Sequence, residues 1–212
     1  LRTPLARLRL EAELSVADSA AREHMANDIS QLDAIIHKFL DYARPDQMDL
    51  KPVSLNATVE GCLANLRDRS NIQLKVALEE HLLVLADEIE LQRVINNLLE
   101  NAARYGKSID SGVAMIEVSA RYHGQQVLLR VRDRGAGVAP DQLKQLTTPF
   151  FRGEAARTAA NGTGLGLAIV EKTVSRMGGK MDLNNASSGG LVINIVLQRA
   201  SSTKTKGPQE DH

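Results

Sequence analysis

The chain has 212 residues, enough for one full domain and a smaller second unit. Lys and Arg together number 26, as do Asp and Glu, so no sequence-wide field draws the chain to nucleic acid or to an anionic membrane surface. The single cysteine, Cys62, excludes an intramolecular disulfide and any multi-cysteine metal site, and no apolar run approaches the roughly 20 residues of a membrane span.

Leu1, Leu5, Leu8 and Ala12 are spaced four, three and four, as one seam of a helix requires, and the pattern stops at Ser15. After the turn-like Val16–Ala20, a second series follows in Met25, Ile29, Leu32, Ile36 and Phe39. Two helices in a hairpin are predicted. A lone hairpin leaves an apolar seam uncovered. A homodimer forming a four-helix bundle would cover it, and so would packing against the rest of its own chain. The polar stretch Ala43–Pro52, with two prolines, reads as a linker.

Beyond the linker the pattern predicts an α+β layer, one mixed sheet with helices on one face. Val53–Leu55 reads as a short strand, and Leu55–Arg69 as a helix with Asn56 as its cap. Ile72–Leu78 and His81–Ala86 read as strands. Asp87 then caps a long helix through Tyr105, with Ile89, Leu91, Val94, Ile95, Leu98 and Leu99 on its apolar face. Cys62 lies in an apolar stretch and reads as a small buried side chain. Two alternating strands, Ala114–Tyr122 and Gln126–Asp133, precede a loop-rich middle, a helix over Leu165–Met177, and two final strands joined by the Gly-rich SSGG. The last residues, from Ser201 on, have no apolar pattern and are expected to be disordered.

Three stretches could carry chemistry. In NNLLENAARY, Asn97 and Asn101 are four apart and share a helix face beside Arg104 and Tyr105. Neutral amide oxygens are competent ligands for Mg²⁺, which keeps several waters and phosphate oxygens; exposed asparagines on a helix are the plainer alternative. DRGAGV ends a strand in a carboxylate, Asp133, and opens into Gly135 and Gly137, where a flat ligand can approach the backbone. A simple strand-to-turn transition explains that pattern more often. NGTGLGL is stronger: Gly162, Gly164 and Gly166 alternate directly into a helix, so several N–H groups can point at a phosphate. It matches neither a P-loop nor the dinucleotide fingerprint. Between them, Phe150 and Phe151 form an apolar anchor, and Arg152–Asn161 reads as a lid or as an ordinary surface loop.

The order LRTP, the asparagine-rich helix, DRGAGV, TPFFRG and GTGLGL resembles the sensor histidine kinases, whose phosphoacceptor, N, first glycine, phenylalanine and second glycine boxes it matches in sequence. NAARYG, FRGEAART and GTGLGLAIV together look like the osmosensing EnvZ branch, whose partner is an OmpR-type response regulator. The resemblance implies a dimerisation and phosphotransfer hairpin over residues 1–43, a linker over 44–52, a GHKL (Bergerat-type) ATP-binding α/β sandwich over 53–198, and a tail over 199–212. It implies ATP and Mg²⁺ as cofactors and a homodimer. It also implies the cytoplasmic portion of a bacterial inner-membrane sensor, with any membrane contact made by segments outside this sequence.

By the same resemblance, Asn97 and Asn101 would hold Mg²⁺, Arg104 would neutralise phosphate charge, and Tyr105 would lie along the adenine. Asp133 would accept from the adenine amine, with Gly135 and Gly137 admitting the ring. Gly162, Thr163, Gly164, Leu165 and Gly166 would cradle the phosphates beneath a lid that includes Phe150 and Arg152. The phosphoacceptor histidine is expected two places before Leu1, outside the sequence, and Thr3, one helical turn after it, would orient water for regulator dephosphorylation. Thr3 reads alternatively as a helix-surface residue beside Pro4. The rival classes are other GHKL ATPases, which commonly carry Glu where Asn97 stands, and a catalytically silent dimer that only docks a regulator.

Overall fold

The computed structural model describes residues 2–15, 18–43, 48–108, 111–153 and 162–201. Helix α1 (Arg2–Ser15) packs along α2 (Ser19–Tyr42), whose N-terminus is capped by Asp18 accepting from the Ala20 N–H at 2.9 Å. Neither helix has a core of its own. Among the described residues of the pair Ala12 is the one buried hydrophobic, while Leu8, Leu14, Met25, Leu32, Phe39 and Leu40 are exposed.

The remainder is a layered α+β unit. Strand β1 (Lys51–Ser54) pairs antiparallel with β3 (Leu83–Ala86) in a separate two-stranded sheet. The main sheet has the order β2-β4-β5-β7-β6, from β2 (Ile72–Leu78), β4 (Ala114–His123), β5 (Gln126–Asp133), β6 (Lys180–Asn185) and β7 (Leu191–Gln198). Only β2 and β4 run parallel; the other pairs are antiparallel, so the sheet is mixed. Helix α4 (Glu88–Tyr105) lies over β4 and β5, flanked by α3 (Leu55–Arg67) and α5 (Gly166–Arg176). One continuous core joins the helices to the sheet through fully buried Leu63, Leu91, Ile95, Leu98, Ile116 and Leu129.

Several sequence expectations are corrected at this level. The main sheet does not include every strand, because β1 finds its partner in β3. Lys51 and Pro52, read as the end of a linker, already belong to β1; Pro52 is tolerated on this short edge strand because it need not donate. Ser54, not Asn56, caps α3, its hydroxyl accepting from the Ala57 N–H at 3.3 Å. Asn56 instead bridges two chain segments, donating to the Glu79 carbonyl and accepting from the Leu82 N–H, each at 2.8 Å. His81 has a left-handed φ of 57° and stands before β3 rather than in it. Arg199 and Ala200, read as the start of the tail, extend the packed unit: the Ala200 N–H donates to the Leu83 carbonyl at 3.0 Å, and the Arg199 guanidinium lies 4.0 Å from the Tyr122 ring centroid.

Candidate functional site

One wall of the candidate site is built by α4. Its N-terminus is fixed by Asp87, which accepts from the Ile89 and Glu90 N–H groups at 3.1 Å each. Its apolar stripe from Leu91 to Ala102 is buried in the core, while Ile89, read as part of that stripe, stands 67% exposed in the first turn; this burial turns the adjoining stripe of Asn97, Glu100, Asn101, Arg104 and Tyr105 toward a cavity of about 440 Å³. Asn97 donates its amide N–H to the Arg93 carbonyl at 2.9 Å, and this holds the amide oxygen outward. That oxygen faces Gly166: a Cβ added there would stand 3.4 Å from it.

The opposite wall is the glycine segment. Gly162, Thr163, Gly164 and Gly166 line the same cavity. Gly164 has φ +68°, and its carbonyl accepts from the Phe150 N–H at 3.0 Å, so the segment folds back on the Phe150 loop; a side chain there would be strained and would collide with the Phe150 backbone. Leu165, the N-cap of α5, makes no side-chain capping bond, and Gly166 and Leu167 of the first turn line the cavity, so this uncapped helix N-terminus, where anions are favoured, borders it. Two features assigned from separate stretches of sequence therefore confront each other across one space.

The far end is formed by Asp133, 5% exposed. Its Oδ1 accepts from the Gly135 N–H at 2.9 Å and from the Leu191 N–H at 3.1 Å. Burial raises its pKa above the ordinary aspartate range, against the opposing pull of those two bonds and of Arg132. The turn that follows is held from outside. Arg134 forks onto the Glu117 carboxylate at 2.9 and 2.6 Å, which lowers the Glu117 pKa despite some desolvation. Asn185 clamps Val138, accepting from its N–H at 3.0 Å and donating to its carbonyl at 2.6 Å.

Of the residues singled out from sequence, Asn97, Asn101, Arg104, Tyr105, Asp133, Gly137, Arg152, Gly162, Thr163, Gly164 and Gly166 line this cavity. Gly135 and Leu165 do not. Gly135 is buried behind Asp133, where a Cβ would strike the Tyr105 carbonyl, and Leu165 is fully buried as the cap of α5. Phe150 turns away as well: with φ 66° it is 56% exposed and stacks on Phe39 of α2, centroids 6.5 Å apart, while the adjacent Phe151 lines the cavity. The Thr3 side chain and residues 154–161 of the lid lie outside the described residues.

Sequence reasoning missed three contributors. Gly190, in the SSGG read only as a strand connector, comes so close to the Asp133 carbonyl that no Cβ would fit; this places the Leu191 N–H on the carboxylate. Paired glycines with φ 88° and 87° were the available signal. Gly106, packed on the Asp133 Cβ, is the second. The third is Lys38, from α2, which no local pattern marks.

Among the described residues no group of three or more His, Cys, Asp or Glu could hold a metal ion. A divalent cation here would rest on amide oxygens and on ligand phosphates, an oxygen set that suits Mg²⁺. Nor is any helix among the described residues long and apolar enough to cross a membrane.

The sequence profile of the Histidine kinase-, DNA gyrase B-, and HSP90-like ATPases matches residues 86–201. The sensor protein RstB of Escherichia coli (strain K12) is 36% identical over 199 residues, covering 90% of this chain and 44% of RstB. The histidine kinase domain of the E. coli osmosensor EnvZ is similar in structure, with TM-score 0.55 and 32% identity over 78% of this chain and 98% of that one. Histidine kinase ThkA, solved in complex with response regulator protein TrrA, shares the fold at TM-score 0.68 and 20% identity, over 94% of this chain and 57% of that one. The chain spans less than half the length of RstB. A mixed sheet under three helices, a cavity walled by amides and glycines, and these likenesses lead to one assignment: the chain belongs to the family of histidine kinase-, DNA gyrase B- and HSP90-like ATPases, among the sensor histidine kinases.

Proposed function

We propose that this chain is the cytoplasmic kinase core of an EnvZ-like sensor, binding Mg-ATP in the cavity between α4 and α5 for autophosphorylation of a histidine upstream of Leu1. The observation that carries the reading is the meeting of the α4 amides with the glycine segment before α5, with a buried carboxylate closing the far end. The adenine amine donates to Asp133, Tyr105 lies along the ring, and Gly137 leaves room for it. Asn97 and Asn101 would hold Mg²⁺ through their amide oxygens, and the ion, when bound, neutralises charge on the phosphates. Arg104 and the N-terminus of α5 hold the phosphate oxygens, with the segment beginning at Phe150 and Arg152 as the lid. Catalysis is then chiefly positioning and charge neutralisation.

The domain division follows the same reading: hairpin 1–43, linker 44–52, ATP-binding unit 53–198 and tail 199–212, except that Lys51 and Pro52 of β1 and the packed Arg199 and Ala200 go with the unit. The exposed seam of α1 and α2 is covered by a second copy in a four-helix bundle. The phosphoryl group passes to an OmpR-type response regulator, as the ThkA–TrrA complex suggests by analogy, and Thr3 orients water for its removal.

Titration calorimetry with Mg-ATP tests the nucleotide reading: the chain binds, and Asn101→Ala weakens Mg-ATP far more than adenosine. Absence of binding by the unmutated chain defeats the proposal. For transfer, a longer chain with the upstream histidine, given labelled ATP, carries label to that histidine and then to the regulator. Thr3→Ala in that chain keeps the first step and loses regulator dephosphorylation; equal loss of both would remove the role given to Thr3.

A further inference from the structure

The cavity is not walled by the α/β unit alone. Lys38, near the C-terminal end of α2, lines it beside the α4 residues. Its ammonium stands 3.5 Å from the Glu100 carboxylate. Glu100 lies one turn after Asn97, next to Asn101 and one turn before Arg104, so the tip of Lys38 sits at the amide-bearing part of the wall. Asp133 packs instead on Gly106, about 9 Å farther along the helix axis by the rise per residue.

The end of α2 is fixed in this place by contacts of the residues that follow Lys38. Phe39 stacks on Phe150, and Asp41 pairs with Arg93 at 3.6 Å. The Tyr42 carbonyl accepts from the Lys172 ammonium at 2.9 Å, with that ammonium 4.8 Å from the Tyr42 ring centroid. Lys38 is therefore carried to the cavity by a docked helix.

Its present partner is a weak competitor. The two side chains are 31% and 60% exposed, and exposed pairs of this kind are screened by solvent and held only weakly. A magnesium-bound triphosphate presents several anionic oxygens, and an ammonium has three donors with which to meet them.

We propose that Lys38 is a phosphate-binding residue supplied to the nucleotide site by the helical hairpin. When a nucleoside triphosphate enters, the ammonium exchanges the Glu100 carboxylate for oxygens at the terminal end of the phosphate chain. Nucleotide binding and the docking of α2 then reinforce each other, since each ligand of a coupled pair stabilises the state the other prefers. The inference rests on the reading of the cavity as a Mg-ATP site and adds to it a residue from outside the ATP-binding unit.

The test is calorimetric titration of the chain, of Lys38→Met and of Lys38→Arg with Mg-ATP, Mg-ADP and adenosine. Methionine keeps most of the apolar stem and removes the charge. Lys38→Met should bind Mg-ATP about tenfold more weakly, the size of one charge-assisted contact. The loss should be smaller for Mg-ADP and absent for adenosine, and Lys38→Arg should recover most of the ATP affinity. Saturating Mg-ATP should also slow amide exchange across residues 38–42 in the unmutated chain and not in Lys38→Met. Unchanged ATP affinity in Lys38→Met, or an equal loss for adenosine, overturns the proposal, the second by showing a merely structural role. If the unmutated chain itself fails to bind Mg-ATP, the parent reading falls; if it binds and Lys38→Met binds equally well, only this inference falls.

Discussion

Helices α2 and α4 are both long, both well capped and both patterned with apolar residues three and four apart, yet they dispose of those residues in opposite ways. Helix α4 buries Leu91, Val94, Ile95, Leu98, Leu99 and Ala102 against its own chain, whereas α2 buries none. An apolar stripe states that a helix has a face to cover, and it does not state what covers it. For α4 the cover is the sheet, and the polar stripe beside it becomes a cavity wall. For α2 the cover is partly α1, its contacts with the α/β unit lie at residues 38–42, and the exposed remainder is what the proposed dimer would bury.

The comparison can be broken most forcefully in the core. Leu98→Ala, at a position 1% exposed, should cost about 2–5 kcal/mol of unfolding free energy by urea denaturation. Leu32→Ala on α2 should change the unfolding of the dilute chain by only about 0.5 kcal/mol, while weakening self-association in sedimentation measurements. Comparable losses at the two positions would mean that α2 is stabilised within its own chain after all.

Next in size is the buried carboxylate. Asp133→Asn should reduce Mg-ATP affinity by about tenfold or more, the range for a lost hydrogen bond to a charged group. Because burial raises the pKa of Asp133, protonation begins at higher pH than for an ordinary aspartate; affinity should fall on acidification from above that range, and the asparagine variant should lack this step. Stability of the unliganded chain has the opposite sign. The folded state holds this proton more tightly than the unfolded chain, so the contribution of Asp133 is greatest below the ordinary aspartate pKa and is lost as pH rises through the raised one.

Smaller effects test the junction between the two regions. Phe39→Ala removes the ring stack with Phe150, an interaction of about 0.5–1.5 kcal/mol, and should speed amide exchange at the end of α2 and in residues 150–153 while leaving α4 protected. Unaltered exchange would show that the stack does not hold α2 in place. The slightest perturbation concerns Cys62, whose thiol is pushed up to about 11 by burial. A disulfide reagent at neutral pH should label it slowly in the folded chain and rapidly in urea, whether or not α2 is intact.

Much of this was legible in the sequence wherever a pattern is long and local. The Asp87 cap and the 3.6-residue period located α4 to the residue, and strict alternation located β4 and β5. Short elements whose stability is borrowed were legible only in part: a strand was read at Val53, but its start at Lys51 and Pro52 was not, because a proline there is accommodated only by pairing with β3, and the choice of Ser54 over Asn56 as a cap depends on Asn56 being occupied by Glu79 and Leu82. The site divides in the same way. Asn97, Asn101, Asp133 and the alternating glycines sit in contiguous motifs and could be picked out; Gly190 reaches Asp133, and Lys38 the cavity, only through tertiary packing, from about 57 and 62 residues away from the groups they adjoin. Of two adjacent phenylalanines, the one facing the cavity is decided by a single backbone torsion at Phe150.

The two main-chain bonds to Asp133 have one further consequence. Both fall on Oδ1, so under the proposed Mg-ATP reading Oδ2 is the oxygen that would meet the base. In its ionised form that oxygen is a pure acceptor: it welcomes an amino purine and repels the carbonyl edge of an oxo purine. Once protonated, which burial makes easier, the same atom can donate, and discrimination between ATP and GTP should narrow in mildly acidic solution.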